Sequence, residues 1–447
     1  MRNSLLLLCM ALLACNSAVP APATETTPSD PNTIAFTGVN LISMTSQGVT
    51  PDQTVIVEGD RIVTIGPTAA VSFPAGTTVI EGSGKYLLPG LAEMHGHIPP
   101  PQAPAQFTED VLFLYVANGI TTVRGMLGHD GQLELKNRAL RGEMISPNLY
   151  LAGPSFNGNS VSSPEDAAAK VRQQKSEGWD LLKVHPGLTR DEFDAMARTA
   201  KEVNIRFGGH VPQDVGLVHA IEMGQETMDH VDGYLEHLNG FEAPIDESAL
   251  SDIVRRSKEA GVWIVPTMAL WETLYGTADL AKLRSYPELK YMPRAQVAQW
   301  ISAHEARLAH PEFDAAMSRR AIDNRMKVLG ALNQGGVKIL MGTDAPQQFS
   351  VPGFALHREL ERMSAAGMSP WDILRSGTVN VGEYFRSDDR FGMIAEGHRA
   401  DLLLVDGNPL QDVSNLSKIA GVMTRGRWLS KEAIDQRLAE IAARNAQ

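Results

Sequence analysis

Beyond Pro89-Gly90 the chain alternates short apolar runs with longer stretches of helical periodicity. Short runs that are apolar throughout are typical of strands buried on both faces of a parallel sheet, and the segments between them are long enough for crossover helices. There are eight such runs, at residues 91–97, 119–124, 148–152, 180–185, 206–210, 227–231, 263–266 and 337–342. A closed (β/α)8 barrel of the TIM type requires this number, so the pattern predicts an α/β barrel over residues 89–389.

Both ends of the chain show a different, strand-like pattern. β-type runs lie at residues 34–42, 54–58, 61–65 and 77–80, with a tight turn at Gly59-Asp60, and the pattern returns at residues 400–405 and 422–429. We expect the two groups to pair. The prediction is a small β-sandwich domain built from residues 33–88 and 390–430, followed by a C-terminal helix at residues 431–447.

Several helix starts are marked by capping residues, and one connection is unusually long. Thr189 and Glu192 form a capping-box pattern, while Ser163 and Ser369 each precede a first-turn proline. Between the seventh and eighth apolar runs lies a stretch of helical periodicity far longer than a loop needs. It predicts a helical lid at about residues 271–333, over the mouth of the barrel.

The N-terminus has the character of an export signal. Arg2 is followed by an apolar stretch too short to span a membrane, which ends in Leu12-Leu13-Ala14-Cys15. This ending resembles a bacterial lipobox, so residues 1–15 are predicted to be a signal peptide with Cys15 as the lipidated residue. Ordinary cleavage near Ala18 to Ala21 is the alternative. Residues 16–32, rich in Ala, Pro, Thr and Ser, predict a flexible tether, and the expected location is the bacterial envelope, lipid-anchored or otherwise periplasmic.

Composition and charge narrow the function classes. The chain of 447 residues is 43% hydrophobic and carries a formal net charge of −12. Nucleic-acid binding needs a basic surface, which this balance argues against. The expected partner is a small molecule, with membrane contact only through the N-terminal anchor. The sequence leaves the oligomeric state open, and a homo-oligomer is possible.

Five metal-binding side chains fall at the carboxyl ends of predicted barrel strands. His95 and His97 are two residues apart, so both project from the same face of the first strand. His210, His230 and Asp344 end or follow the fifth, sixth and eighth runs. Any one of these residues alone is more simply a hydrogen-bonded core or surface group. Their joint placement at the rim where barrel active sites form predicts a metal site.

Lys183 interrupts an otherwise apolar strand in Leu181-Leu182-Lys183-Val184. One interpretation is a structural lysine that extends its amine to solvent at a strand end. The other is a lysine that has added carbon dioxide to become a carbamate bridging two cations. Two divalent ions with neutral histidines, one carboxylate, one hydroxide and one carbamate leave about one net positive charge, whereas an ammonium would leave about three. The charge balance favours the carbamate once two metals are bound.

Further candidates surround this site. Tyr234, four residues after His230, is a candidate for binding the substrate carbonyl or its oxyanion. His185 and His237 follow predicted strands and are candidates for substrate contact. Glu93 is expected to orient an imidazole. Trp271 and Tyr275, at the start of the predicted lid, are expected to serve mainly in packing.

Several motifs resemble those of the amidohydrolase superfamily, in particular its binuclear subgroup, which includes imidazolonepropionase-related enzymes and Xaa-Pro dipeptidases. The similarity extends from residue 34 to about 430, and its motifs lie at residues 88–97, 119–124, 341–344, 356–360 and 400–409. It implies two divalent metal ions held by His95, His97, Lys183 as a carbamate, His210, His230 and Asp344. It also implies hydrolysis by a metal-bridging hydroxide, with Asp344 as the catalytic general acid and base. Many relatives carry Asp after the arginine of the second strand, where this chain has Gly125 after Arg124, so a contact with the substrate or with the residues that support the ligands is expected to differ.

The resulting prediction is a metal-dependent hydrolase of a non-ring amide bond in a small substrate such as a dipeptide or an N-acyl amino acid. Hydrolysis of a lactone, a carbamate or a phosphotriester by the same metal pair is the alternative. A metal-binding lipoprotein without turnover is a third reading, against which Asp344 argues, because storage needs no base beside an open coordination position. Histidine with carboxylate ligands suits Zn²⁺, and Mn²⁺ or Co²⁺ remain open.

Overall fold

The structure, a computed structural model, describes residues 33–446. The predicted signal peptide, Cys15 and the tether lie outside the described residues. Within the described range, none of the helices combines the length and the apolar character that a membrane span requires.

Strands occupy both ends and the middle of the described chain. In chain order they are β1 (Thr33–Leu41), β2 (Thr50–Glu58), β3 (Arg61–Pro67), β4 (Thr78–Glu81), β5 (Tyr86–Pro89), β6 (Leu91–Gly96), β7 (Ile120–Gly125), β8 (Asn148–Leu151), β9 (Leu181–Val184), β10 (Arg206–Gly209), β11 (Thr227–Asp229), β12 (Trp263–Val265), β13 (Lys338–Ile339), β14 (Leu402–Val405), β15 (Ile419–Thr424) and β16 (Arg427–Ser430).

Helices fill most of the connections from β6 onward. They are α1 (Ala105–Ala117), α2 (Gln132–Leu140), α3 (Pro164–Glu177), α4 (Arg190–Glu202), α5 (Leu217–Glu222), α6 (Tyr234–His237), α7 (Glu247–Ala260), α8 (Met268–Leu274), α9 (Leu280–Arg284), α10 (Arg294–Leu308), α11 (Ala315–Gln334), α12 (Ala355–Ala365), α13 (Pro370–Gly377), α14 (Val379–Phe385) and α15 (Lys431–Asn445). Short 3-10 segments lie at Pro287–Tyr291 and Val413–Ser417.

Strands from the two ends of the chain share one eight-stranded sheet. Its order is β16-β15-β14-β5-β1-β2-β3, with β4 paired to β1. The link between the ends is β5, which is antiparallel to β14 and parallel to β1. The sequence pattern did not identify β5 as a strand, because its short apolar stretch runs directly into the next apolar run. The folding of this sheet into a two-layered sandwich stays a prediction.

Each of the eight apolar runs contains a parallel strand. These strands form two sheets, β6-β7-β8 and β13-β12-β11-β10-β9. Every residue of β6, β7, β9, β11 and β12 is buried, as expected for parallel strands covered on both faces. Backbone hydrogen bonds also join the sheets. The Phe156 amide donates to the Lys183 carbonyl, and on the other side the Met94 amide donates to the Met341 carbonyl, each at 2.8 Å.

The predicted helix starts are confirmed. The Thr189 hydroxyl accepts a hydrogen bond from the Glu192 amide while the Glu192 carboxylate accepts one from the Thr189 amide, a complete capping box. Ser163 and Ser369 cap α3 and α13, each with proline at the first helical position. These caps satisfy amide groups that the first helical turn leaves without partners, and they fix where the helices begin.

The long connection between β12 and β13 divides into two parts. Helices α8, α9 and α10 form the part that we call the lid, residues 268–308. Helix α11 packs against α7 and α12 and leads into β13, which is the place of a crossover helix. The lid therefore ends before α11.

Candidate metal centre and cavity

The structure brings together all six metal ligands expected from the sequence. His95 and Lys183 lie within β6 and β9, and the other four follow the carboxyl ends of their strands. The Lys183 amine lies 3.0 Å from Nε2 of His95. Nε2 of His97 lies 2.6 Å from Oδ1 of Asp344. The ring centroids of His210 and His230 are 4.4 Å apart.

Three of these residues form a tight group that could hold a metal ion. His95, His230 and Asp344 each offer a ligand atom, and these atoms lie within 4.8 Å of one another. Nε2 of both histidines is 3.8 Å from the Asp344 carboxylate. His230 and Asp344 have φ values of 65° and 63°, in the left-handed region that side chains other than glycine rarely adopt. Such backbone strain is typical of positions where function fixes a side-chain direction.

A second layer of side chains orients the histidines. Nδ1 of His95 lies 2.7 Å from Asp229, and Nδ1 of His210 lies 2.6 Å from Asp232. Nδ1 of His230 lies 2.7 Å from the Thr267 hydroxyl. Each Nδ1 thus lies beside an oxygen of a neighbouring side chain. This leaves Nε2 to face the centre, which is how protein imidazoles commonly bind metals.

The pKa values of His95 and His230, the two most deeply buried imidazoles of the site, are shifted in the direction that suits a metal ligand. Burial lowers the pKa of His95 and of His230, and neighbouring positive charges lower both further, so the rings stay neutral with a lone pair free. Nε2 of His230 is buried without a hydrogen-bond partner among the described residues. A buried polar atom without a partner is costly, and a cation in the centre would satisfy it.

Asp229 is held by a buried arginine. Arg124 donates from Nη2 to both Asp229 oxygens, at 2.9 and 3.1 Å, and from Nε to the Met94 carbonyl at 2.5 Å. Burial by itself raises the pKa of Asp229, but the charges of Arg124 and Lys183 outweigh it and the pKa is lowered. Asp229 is therefore an anion that can accept the Nδ1 proton of His95.

Glu93 has a different role from the one expected. Its carboxylate accepts hydrogen bonds from the His95 amide at 3.0 Å, the Thr343 amide at 2.7 Å and the Thr343 hydroxyl at 2.5 Å. It contacts backbone and a hydroxyl rather than an imidazole. Glu93 thus ties β6 to the segment that carries Asp344 and fixes the distance between their ligand atoms.

Lys183 is fully buried at the base of the site. Burial lowers the pKa of its amine to about 8, against the raising effect of the nearby carboxylates Asp229 and Asp344. The amine does not reach solvent, so the interpretation as a lysine extended to solvent at a strand end does not fit its position.

Four of the six residues, His95, His97, His210 and Asp344, line a cavity of about 570 Å³, a size that suits a small organic ligand. The ionisable side chains in its lining are those of His95, His97, His129, His185, His210 and Asp344. Its apolar lining includes Ile98, Phe107, Leu127, Trp271, Leu274 and Pro346. Gln296 and Gln347 also line it, and the Gln347 amide donates to Oδ1 of Asp344 at 2.6 Å.

Some expected substrate contacts are placed elsewhere. Tyr234 is fully buried, its hydroxyl lies 2.7 Å from that of Ser257, and it does not line the cavity, so its position does not support the predicted substrate-binding role. The reason is that Tyr234 begins α6, where the helix turns the ring towards α7. His237 does not line the cavity either. His185 does, as does Trp271, whose ring centroid is 5.8 Å from that of His230.

Sequence reasoning missed the residues that support the ligands. Asp229 and Asp232 flank His230 in the sequence, and the frequent pairing of metal-binding histidines with carboxylates was a usable signal for them. Arg325 gave no such signal. It lies on α11, donates to the His230 carbonyl, and places its guanidinium 4.2 Å from the centroid of the Trp271 ring.

Comparisons with known proteins agree with this geometry. Residues 86–429 match the model of the amidohydrolase family. The chain is 26% identical over 420 residues to an adenine deaminase of Rubrobacter xylanophilus, covering 90% of this chain but 59% of that protein. It is 24% identical over 448 residues to a 5-methylthioadenosine/S-adenosylhomocysteine deaminase of Teredinibacter turnerae, covering 89% of this chain and 92% of that protein.

Solved structures show the same fold. A bottromycin amidohydrolase superposes with a TM-score of 0.74 at 24% identity, covering 93% of this chain and 91% of the other. A Xaa-Pro dipeptidase with methionine bound in its active site gives a TM-score of 0.68 at 22% identity, covering 89% and 100%. At these identities the likeness concerns the fold alone.

Proposed function

The chain belongs to the amidohydrolase family, and on that premise we propose that it is a metal-dependent hydrolase of a carbon–nitrogen bond in a small, amide-like substrate. The observation that carries the proposal is the group formed by His95, His230 and Asp344, with ligand atoms within 4.8 Å of one another at the edge of a cavity. Deaminases and a dipeptidase among the similar proteins carry names that denote this type of bond.

We propose that the centre takes two divalent cations, with Zn²⁺ as the ion best suited to these ligands and Mn²⁺ or Co²⁺ as alternatives. The ligands would be His95, His97, His210, His230, Asp344 and Lys183 as a carbamate. Support for the carbamate comes from the buried position of Lys183 beside His95, where an ammonium would repel the cations.

Divalent cations in such a centre polarise a carbonyl group and lower the pKa of bound water. The chain's own residues supply the rest. Asp344, within 2.6 Å of both His97 and Gln347, is placed to accept a proton and return it to the leaving nitrogen. The orientation of the imidazole rings is fixed by their neighbours Asp229, Asp232 and Thr267. His185, in the cavity wall, is kept neutral because burial lowers its pKa to about 2, and it is available to hydrogen-bond the substrate.

We also propose that the two parallel sheets form one closed (β/α)8 barrel. Hydrogen bonds at both seams support this, from Phe156 to Lys183 on one side and from Met94 to Met341 on the other. Closure would place all six ligands around one rim, where barrel active sites form.

We also propose which bond the protein hydrolyses and in which class of substrate. The first candidates are non-ring amides, for which dipeptides and N-acyl amino acids are the simplest tests. A lactone, carbamate or phosphotriester is the second candidate, since a metal pair of this kind serves each of these. For the cellular location, the proposal is anchorage to the envelope through Cys15, supported by the lipobox-like end of the N-terminal segment.

One experiment tests the proposal. The purified chain is loaded with metal, its metal content is measured by elemental analysis, and it is assayed against dipeptides, N-acyl amino acids, their neutral derivatives and adenine. We expect about two metals per chain and metal-dependent hydrolysis of at least one amide. Metal binding without turnover of any compound would favour a non-catalytic metal-binding protein instead.

A further inference from the structure

We infer that the cavity selects an uncharged, largely apolar substrate and discriminates against one with a free carboxylate. The inference rests on the proposed function and names the substrate class of that same site. Its starting point is the charge of the lining: among the described residues that line the cavity, none is an arginine or a lysine, and Asp344 is the one carboxylate.

The basic residues Arg124, Lys183 and Arg325 lie close to the site, and none of their side chains lines the cavity. The Arg124 guanidinium is paired with Asp229, and Lys183, as the proposed carbamate, would carry a negative charge. Arg325 donates to the His230 carbonyl, lies 3.5 Å from Asp232 and stacks on Trp271. All three are buried behind the cavity wall. Moving any of them towards a substrate would leave a buried carboxylate or a ligand without its partner, which is costly.

The rest of the cavity wall is mostly apolar and therefore favours contact with apolar parts of a substrate. Its apolar groups come from separate parts of the fold: Ile98 follows β6, Phe107 lies on α1, Leu127 follows β7, and Trp271 and Leu274 lie on the lid helix α8. They meet a substrate from several sides. His129 and His185 add ring nitrogens that suit a carbonyl or an amide.

A free carboxylate on the substrate could lie in one of two places in this cavity, against the apolar wall or at the metal centre. Against the apolar wall it loses its water without gaining a cation, which is equivalent to a loss of about 10-fold or more in binding. At the metal centre it would occupy the place of the scissile carbonyl. Both outcomes lower turnover. Dipeptides and N-acyl amino acids are therefore expected to react well only when their carboxyl group is masked as a neutral amide.

The test compares two aryl amides of the same shape. 4-Acetamidobenzamide is neutral and 4-acetamidobenzoate carries one negative charge at the same position. Release of the arylamine by the metal-loaded enzyme is followed by liquid chromatography. We expect kcat/KM for the neutral compound to exceed that for the anion by about 10-fold or more. Equal values, or a preference for the anion, would overturn the inference.

A pair of variants supplies the matched control. Gln296 lines the cavity from the lid helix α10 and is half-buried. Gln296→Arg adds a cation to the wall, whereas Gln296→Met keeps the length without charge. We expect Gln296→Arg to raise kcat/KM for the anion several-fold relative to Gln296→Met. If it does not, the missing cation is not what excludes the carboxylate.

Failure of the proposed function is distinguishable from failure of the inference. If neither compound is hydrolysed, both are titrated into the same metal-loaded enzyme by calorimetry. Tighter binding of the neutral compound would support the inferred selectivity. The absence of hydrolysis would then count only against the proposed function. Absent or equal binding, or tighter binding of the anion, overturns the selectivity itself.

Discussion

Replacing Asp229 by asparagine should damage both the fold and the metal centre. Its carboxylate accepts two hydrogen bonds from Arg124, at 2.9 and 3.1 Å, and lies 2.7 Å from Nδ1 of His95. Arg124, His95 and Asp229 are all buried. Asparagine keeps the shape but leaves the guanidinium without a counter-charge and the imidazole with a weaker acceptor.

The two effects have different magnitudes. At an effective dielectric constant of about 20, opposite charges 4 Å apart attract by about 4 kcal/mol, and breaking a buried pair typically costs about 3–5 kcal/mol. We expect Asp229→Asn to lower the free energy of unfolding of the metal-free chain by about that amount. Loss of a carboxylate behind a metal-binding histidine typically weakens metal affinity about 10–100-fold.

Two assays separate these effects. Urea unfolding of chelator-treated protein measures stability, and competition with a chromogenic chelator measures metal affinity. The double variant Arg124→Met/Asp229→Asn should recover part of the stability, because the buried charge is gone, but not the metal affinity. Asp252→Asn, at an exposed pair with Arg255 and Arg256, is the surface control and should change neither quantity noticeably. Wild-type metal affinity in Asp229→Asn would refute the supporting role of this carboxylate.

Four further outcomes are expected. Asp344→Asn should abolish turnover while keeping the fold and much of the metal, since an amide cannot shuttle a proton; near-normal activity in a steady-state assay would contradict this. Lys183→Ala should lose one metal by elemental analysis and most activity, and acetate or propionate with excess metal should restore a part, whereas two retained metals and normal turnover would rule out the carbamate. Burial raises the pKa of Glu359 from 4.5 to about 7, so the folded state binds its proton more tightly than the unfolded state and stability falls as the pH rises through this window. In urea unfolding from pH 4 to 8, Glu359→Gln should therefore gain up to about 3 kcal/mol relative to wild type, and parallel pH profiles would contradict that. Cys15→Ala should move the protein from membrane to soluble fractions on immunoblots, and a wholly soluble wild type would exclude the anchor.

The strands and the ligands were accessible from the sequence for one physical reason. Parallel strands are buried on both faces and stand out as apolar runs, and their carboxyl ends are adjacent in sequence to the ligands they carry. His230 could therefore be placed at a strand end without knowledge of its neighbours. Thr267, which lies beside its Nδ1, could have been suspected from its place two residues after β12.

Contacts between distant elements could not be predicted in the same way. Arg325 meets His230 and Trp271 only because α11 packs beside α8, and no local pattern records that packing. For Tyr234, by contrast, the local sequence suggested a contact that the packing does not make. Its position four residues after a ligand suggested the cavity, but the direction of a helix start is set by the packing against α7. Glu93 was correctly connected to the site, although its partners are two backbone amides and the Thr343 hydroxyl rather than an imidazole.

The link through β5 constrains the order in which the molecule can assemble. Pro89 and Leu402 are neighbours in the sheet, yet the eight parallel strands lie between them in the chain. A ribosome must therefore complete the whole central region before β14 exists to pair with β5. Until then β5 is an open edge, the kind of surface on which chains associate with one another. A chain cut short before residue 402 would keep every proposed metal ligand and still lack this partner strand, so such a fragment should aggregate rather than accumulate as a smaller enzyme.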